Sequence, residues 1–320
     1  MKMLSVILPA YNEQDMIMLA AETISSILTQ ADIPFEILFV NDGSRDQTWQ
    51  KIQEASAKDS HIRGLSFSRN FGKESAIAAG LEAAQGACAV VLDCDLQHPP
   101  EKIVEMYRLW EEGYEVVAGV KADRGKETRL HRTAAKTFYK LIGSATGIDM
   151  ENASDFKLLD RKAIDALCGM PERSAFFRAM SAWIGFKGTT VSYEVQPRVA
   201  GESKWSTASL FRYAVTNISS FSTAPMQIVT FLGVITLLMS VVFGLITLYQ
   251  KLTGAALGGF TTVILLLGFI GSIIMISLGI IGYYLAKIYE EIKGRPRYIV
   301  SEVTYAYARE AEGTGTKNDT

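Results

Sequence analysis

A chain of 320 residues is long enough for one large domain or two smaller ones, and its formal net charge of −2 offers no global attraction to nucleic acid. Hydrophobic residues make up 48% of it, a high share for a protein bathed only in water. The three cysteines, Cys88, Cys94 and Cys168, show no metal-ligand spacing, and their odd number excludes a fully paired disulfide framework, which suits a reducing compartment.

Short apolar runs alternate with helical patterns over the first 120 residues. Strands are predicted over 4–8, 35–40, 64–67, 87–92 and 115–119, and helices over 13–28, 48–58, 73–84 and 101–112. That alternation predicts a mostly parallel sheet covered by helices on both faces. The first strand starts so close to residue 1 that no signal peptide is expected.

Polar, turn-forming residues stand where these strands end. The fourth run closes as Val90-Val91-Leu92-Asp93-Cys94-Asp95-Leu96-Gln97-His98-Pro99-Pro100, and the two prolines block further strand. Ligands of open α/β sheets bind beyond the carboxyl ends of the strands. Asp-x-Asp in that place offers hard oxygen ligands to a divalent cation that bridges to a diphosphate; a solvated turn is the competing reading. Asn12, Asp42 and Ser44 are likewise either turn and helix-cap residues or parts of a site. Four polar strand ends on one sheet edge favour a common site. Neither G-x-G-x-x-G nor G-x-x-x-x-G-K-[ST] occurs, so neither a dinucleotide fold nor a P-loop is indicated.

The hydrophobicity collects towards the C-terminus. No charged residue occurs from 213 to 250 or from 252 to 286, and two apolar runs, about 227–249 and 260–286, exceed the ~20 residues that cross a bilayer. They predict a transmembrane hairpin. Arg198, Lys204 and Arg212 precede it, Lys287, Lys293, Arg295 and Arg297 follow it, and the connecting turn carries only Lys251. The positive-inside rule then puts both ends in the cytoplasm. Leu210, Phe211, Tyr213, Ala214, Ile218 and Phe221 recur at helical spacing and predict an interfacial helix ahead of the first span, with Trp205 at the water boundary. The expected organisation is a cytoplasmic domain over 1–205, the interfacial helix over 206–225, the hairpin over 226–287 and a cytoplasmic tail over 288–320. Gly233, Gly244, Gly268 and Gly271 offer close helix packing in the membrane and hence a homo-oligomer.

Several stretches together carry a family resemblance. Pro9-Ala10-Tyr11-Asn12-Glu13, Val40-Asn41-Asp42-Gly43-Ser44, Ser68-Arg69-Asn70-Phe71-Gly72-Lys73-Glu74 and Asp93-Cys94-Asp95-Leu96-Gln97 resemble the family 2 inverting glycosyltransferases of GT-A fold. Ser154-Asp155-Phe156-Lys157-Leu158-Leu159-Asp160-Arg161 and Arg198-Val199-Ala200-Gly201-Glu202-Ser203-Lys204-Trp205 are similar to one subgroup, the polyprenyl-phosphate glycosyltransferases related to bactoprenol glucosyltransferases and dolichyl-phosphate mannose synthase. The likeness runs in consistent order over about residues 4–300. Cys94 stands where a small residue such as Ala is usual, and His98 where Asp is common.

The resemblance implies a Rossmann-like GT-A domain followed by the interfacial helix and the hairpin. It implies transfer of one sugar, with inversion, from a UDP-sugar (glucose or N-acetylglucosamine expected) to undecaprenyl phosphate at the cytoplasmic face of the cell membrane. Pro9, Tyr11, Asn12, Glu13, Asp42, Ser44, Lys73, Asp93, Asp95 and Gln97 would then bind the nucleotide sugar. Asp95, helped by Asp93, would hold Mg²⁺ or Mn²⁺. Asp155 matches the family's proposed base. A phosphate monoester with a second pKa near 6 is already mostly dianionic, however, so Asp155 is equally suited to orienting the acceptor. Arg124, Arg129 and Arg132, with Arg198, Ser203 and Lys204, would take the acceptor phosphate.

Two other readings stand beside this one. Processive polysaccharide synthases carry Gln-x-x-Arg-Trp and more spans, whereas Arg178-Ala179-Met180-Ser181-Ala182-Trp183 is not that motif and two spans make no channel. A non-catalytic nucleotide-sugar-binding membrane module would have little use for Asp93, Asp95 and Asp155 together.

Overall fold

The computed structural model describes residues 1–122, 154–170, 177–194, 224–253 and 259–304. The chain forms two compact units, Met1–Lys204 with Pro296–Thr320, and Trp205–Arg295.

The first unit is built on an eight-stranded sheet. Its strands are β1 (Leu4–Ala10), β2 (Phe35–Asn41), β3 (Ile62–Phe67), β4 (Cys88–Val91), β5 (Val116–Lys121), β6 (Lys157–Asp160), β7 (Gly188–Tyr193) and β8 (Val300–Val303). They lie in the order β7-β5-β6-β4-β1-β2-β3-β8. Only β6 and β8 pair antiparallel with their neighbours. Helices α1 (Ile17–Gln30), α2 (Thr48–Lys58), α3 (Lys73–Ala83) and α4 (Lys102–Glu111) connect the first five strands, and the short α5 (Arg161–Cys168) and α6 (Phe177–Trp183) follow β6.

Periodicity explains these elements. In α1, Ile17, Ala20, Ala21, Ile24 and Leu28 recur three and four apart and are buried, and Ile103, Met106, Tyr107 and Trp110 do the same in α4. The central strands are buried along their whole length, as a sheet covered on both sides requires. One face packs Leu4, Val6, Leu8, Ile37 and Phe39 against α1 and α4. The other packs Leu38, Val40, Leu65 and Phe67 against Ala76 and Ala79 of α3. Truncating such a buried leucine to alanine typically costs about 2–5 kcal/mol. At Gly80 a Cβ would stand 2.3 Å from Ile7 Cγ2, so glycine lets α3 lie tight on β1. That closeness fixes where the first residue of α3, Lys73, emerges.

Strand β8 has no counterpart in the sequence reading, which carries 288–320 as a tail. It covers the β3 edge, and the Trp49 indole N–H donates to Glu302 Oε2 at 2.9 Å. An edge that would otherwise offer unpaired backbone groups is thereby closed.

The second unit holds two long helices, α7 (Ala224–Leu252) and α8 (Phe260–Ile292), which pack on one another. Their side chains leave Leu237, Leu238, Leu267 and Met275 exposed. Among the described residues one helix segment, Leu266–Ile292, is long and apolar enough to cross a membrane; the apolar stretch of α7, Phe231–Ile246, is shorter. The predicted interfacial helix lies outside the described residues except for Ala224 and Pro225, which open α7.

Candidate active site

Strand order places the site. Strands β2 and β3 extend the sheet from one side of β1 and β4 lies on the other, so the segments that follow β1 and β4 are neighbours at the carboxyl ends of the strands, where ligands of open α/β sheets bind. The end of β1 and the loop after it carry Pro9–Glu13, and the loop after β4 carries Asp93–Gln97. The thiol of Cys94, buried, donates to the Pro9 carbonyl at 3.4 Å and ties one loop to the other.

The loops after β1 and β2 are knitted together. The Asn12 N–H donates to Ser44 Oγ at 3.0 Å, Asn12 Oδ1 accepts the Arg45 N–H at 2.9 Å, and Asn41 Oδ1 accepts the Ser44 N–H at 3.1 Å. Asn12 holds this geometry at φ 56°, a left-handed conformation that asparagine tolerates better than most residues. Tyr11 beside it is exposed. Asp42, buried, accepts the backbone N–H groups of Phe71 (2.7 Å to Oδ1) and Gly72 (2.9 Å to Oδ2). Burial pushes its carboxyl above the ordinary value, and those two N–H groups act against the rise. Asp42 therefore anchors the loop that delivers Lys73.

The decisive contact is made by Lys73. Its ammonium lies 2.6 Å from Asp93 Oδ1 and 2.8 Å from Asp155 Oδ2. Antiparallel register brings the two carboxylates together. Val91 pairs with Lys157, and Asp93 and Asp155 each lie two residues past that pair, just after the end of β4 and just before the start of β6. Burial would lower the Lys73 pKa, yet the charges of Asp93 and Asp155 outweigh it and hold the ammonium above its ordinary range.

Asp155, itself buried, also receives the Arg178 guanidinium in a fork, Nε to Oδ1 at 2.6 Å and Nη2 to Oδ2 at 2.8 Å. Burial alone would raise its carboxyl. The Arg178 hydrogen bonds and the Lys73 and Arg178 charges prevail and hold it well below the ordinary carboxylate range. A carboxylate so held is a poor proton acceptor at neutral pH.

Two neighbours set α6, the helix that carries Arg178. Glu74 Oε2 accepts the Phe177 N–H at 2.8 Å, and burial lifts the Glu74 carboxyl to about 7. Lys157, buried, donates to Ser181 Oγ at 2.7 Å and to the Arg178 carbonyl at 3.3 Å, and burial lowers its pKa to about 8. Arg178, Glu74 and Lys157 are absent from the sequence-based site. Glu74 and Lys157 stand inside the stretches that carry the family resemblance, without a role of their own there, and Arg178 lies outside those stretches.

Asp95 Oδ1 accepts the Gln97 N–H at 3.1 Å across Leu96, which stands at φ 55°. Leu96 is an aliphatic residue in a left-handed conformation, so the turn that presents the carboxylates is strained. His98 packs its ring 5.2 Å from Phe156 and 5.4 Å from Tyr193. Among the described residues no group of three or more His, Cys, Asp or Glu side chains gathers as a metal centre. Asp93 and Asp95 alone, as hard oxygen donors, fit a cation that is bound through one or two carboxylates and takes its other ligands from water and phosphate, as Mg²⁺ does. Arg124, Arg129, Arg132, Arg198, Ser203 and Lys204 lie outside the described residues.

Residues 5–168 match the family model described as "Glycosyl transferase family 2". The chain belongs to that family. It is 38% identical over 302 residues to an uncharacterized glycosyltransferase of Synechocystis, covering 94% of this chain and 95% of that protein. It is 34% identical over 301 residues to the bactoprenol glucosyl transferase of Shigella phage SfII, covering 93% and 97%. Among solved structures, glucosyl-3-phosphoglycerate synthase of Mycobacterium tuberculosis with Mn²⁺, UDP-glucose and phosphoglyceric acid overlaps 68% of this chain and 79% of its own, at TM-score 0.46 and 20% identity. Family membership and the mostly parallel sheet together give a GT-A-type domain.

Proposed function

We propose that this glycosyltransferase moves one hexosyl group, with inversion, from a UDP-sugar to undecaprenyl or a similar polyprenyl phosphate at the cytoplasmic face of the cell membrane. The observation that carries the reading is the Lys73 bridge, which puts Asp155 beside the Asp93-Cys94-Asp95 turn. In this reading a donor-diphosphate carboxylate and an acceptor-side carboxylate share one small site. The near full-length similarity to a protein named for bactoprenol supports the lipid acceptor.

Pro9, Tyr11 and Glu13 line the nucleotide side with the Asn12–Ser44 junction, Asp42 stands at the base edge, and Gln97 reaches the sugar or the diphosphate. Asp95 and Asp93 would hold Mg²⁺ or Mn²⁺, which would supply positive charge against the leaving diphosphate. Asp155, kept anionic by Arg178, orients rather than deprotonates, since the acceptor phosphate arrives mostly dianionic. Arg198, Ser203 and Lys204, with Arg124, Arg129 and Arg132, are assigned to that phosphate.

Both α7 and α8 cross the bilayer in this reading. At 29 and 33 residues they are about 44 and 50 Å long at 1.5 Å per residue, longer than the ~30 Å hydrocarbon layer. Thr236 and Ser272 turn their hydroxyls back onto the carbonyls of Leu232 and Gly268 at 2.8 Å, which leaves neither unsatisfied in lipid. Gly233, Gly244, Gly268 and Gly271 present open backbone, and a homo-oligomer would pack there.

The test is mass spectrometry of lipids from membranes containing the protein, polyprenyl phosphate and a panel of UDP-sugars. A polyprenyl phosphate heavier by one hexose or N-acetylhexosamine is expected, and it should vanish with Asp95→Asn. A polymer, or no lipid product from any donor, would overturn the reading.

A further inference from the structure

The bridge made by Lys73 has a consequence for how donor and cation bind. Its ammonium sits within hydrogen-bond distance of Asp93, one of two carboxylates assigned to the cation, and of Asp155. A dication taken by the same carboxylate would meet a positive charge already in place. A dication and an ammonium about 4 Å apart repel enough to weaken binding roughly thirtyfold, even at the dielectric constant of water. The lysine side chain is 39% exposed, so it has room to move away. It will do so only when offered another anion, because Asp93 and Asp155 otherwise compensate its charge.

We propose that Lys73 is a placeholder cation that keeps divalent metal off Asp93 until a nucleoside diphosphate arrives, making metal and diphosphate bind as a unit. The inference rests on the donor-site reading above. The incoming diphosphate supplies the anion to which Lys73 transfers, which frees Asp93 Oδ1. Asp155 remains 2.8 Å from the ammonium at the start of that exchange and limits how far it travels. The loop before Lys73 is itself pinned through Asp42 and the Phe71 and Gly72 N–H groups, so the exchange is a side-chain movement on a fixed backbone. After transfer the same linkage acts in reverse: once the diphosphate leaves, Lys73 returns and expels the cation. Such coupling is reciprocal by necessity.

The experiment measures Mn²⁺ affinity of the full chain in detergent by the electron paramagnetic resonance of free Mn²⁺, with and without UDP. Lys73→Met and Lys73→Gln are expected to bind Mn²⁺ at least tenfold more tightly than the unaltered protein when nucleotide is absent. UDP should then improve their Mn²⁺ affinity less than it improves that of the unaltered protein. Lys73→Arg, which keeps a cation in place, should stay within about threefold of the original. Equal or weaker Mn²⁺ binding by both neutral variants would overturn the proposal; agreement between the two guards against one of them folding poorly. Mn²⁺ binding with UDP that Asp95→Asn leaves unchanged would remove the donor-site reading itself, whatever Lys73 does.

Discussion

Arg178 holds Asp155 through two parallel hydrogen bonds of 2.6 and 2.8 Å, the fork geometry that only arginine supplies to a carboxylate. The pairing decides what Asp155 can do. With Lys73 on the same carboxylate, its negative charge is compensated and its proton affinity lowered. Asp155 keeps its charge at any pH above the ordinary carboxylate range, and the stability it brings is lost only as pH falls through its depressed pKa.

Arg178→Lys keeps the charge and loses the fork. Turnover should drop tenfold or more while Mn²⁺-dependent UDP affinity changes less than threefold, measured by lipid-product formation and by titration calorimetry. The pH–rate profile of the unaltered protein should show no limb between pH 5 and 8 that Asp155→Asn removes. Such a limb would mean that Asp155 exchanges a proton in turnover.

Glu74 behaves in the opposite sense. Its pKa rises from 4.5 to about 7, with burial the main cause. Between those values the unfolded chain has released the proton while the folded one retains it, so stability falls as pH rises through that window. At 1.36 kcal/mol per unit the upper bound is roughly 3 kcal/mol. Glu74→Gln keeps an acceptor for the Phe177 N–H and has nothing to ionise. Its melting temperature should gain on the unaltered protein between pH 5 and 8; parallel curves would refute the assignment.

The motifs of this candidate site are legible in the sequence because they are local. Asp93-Cys94-Asp95 follows an apolar run and precedes two prolines, and Lys73 opens a helix after a Gly72 turn. Sequence periodicity cannot show which way a four-residue strand runs, and β6 runs antiparallel to its neighbours. That single reversal carries Asp155 to the edge where β4 ends. In the sequence Arg178 marks only a synthase motif that is not formed, since its partner Asp155 lies 23 positions away. The return of β8 was hidden for a similar reason: Val300–Val303 is too short to show a period, and it is held by β3 and Trp49 across more than two hundred residues.

Glu36 and Arg63 form an ion pair away from the site, each side chain 6% exposed. Glu36 Oε1 also accepts Ser5 Oγ–H at 2.6 Å and the Gln85 N–H at 2.7 Å. Removing one partner of such a pair leaves a buried charge uncompensated and costs about 3–5 kcal/mol. Arg63→Met should therefore lower denaturant stability by that order, and adding Glu36→Gln should recover part of it. Equal losses in the single and double variants would show that packing, not charge, holds this corner.

Gly43 packs its backbone against the loop that leads to Lys73. It stands at φ +63°, and a Cβ there would lie 2.3 Å from the Arg69 carbonyl carbon and 2.6 Å from the Asn70 nitrogen. Gly43→Ala therefore meets backbone strain, about 1–3 kcal/mol for a residue forced into a sparsely populated region, and a clash that pushes the 69–72 loop outward. The loop is what Asp42 clamps and what delivers Lys73, so UDP affinity should fall at least tenfold along with stability. Gly113→Ala is the control, because its φ of +95° is as unfavourable but nothing lies within 4 Å of the added carbon. It should lose stability alone. Calorimetric UDP binding in the presence of Mn²⁺ separates the two, and equal affinity in both variants would show that the loop does not reach the donor.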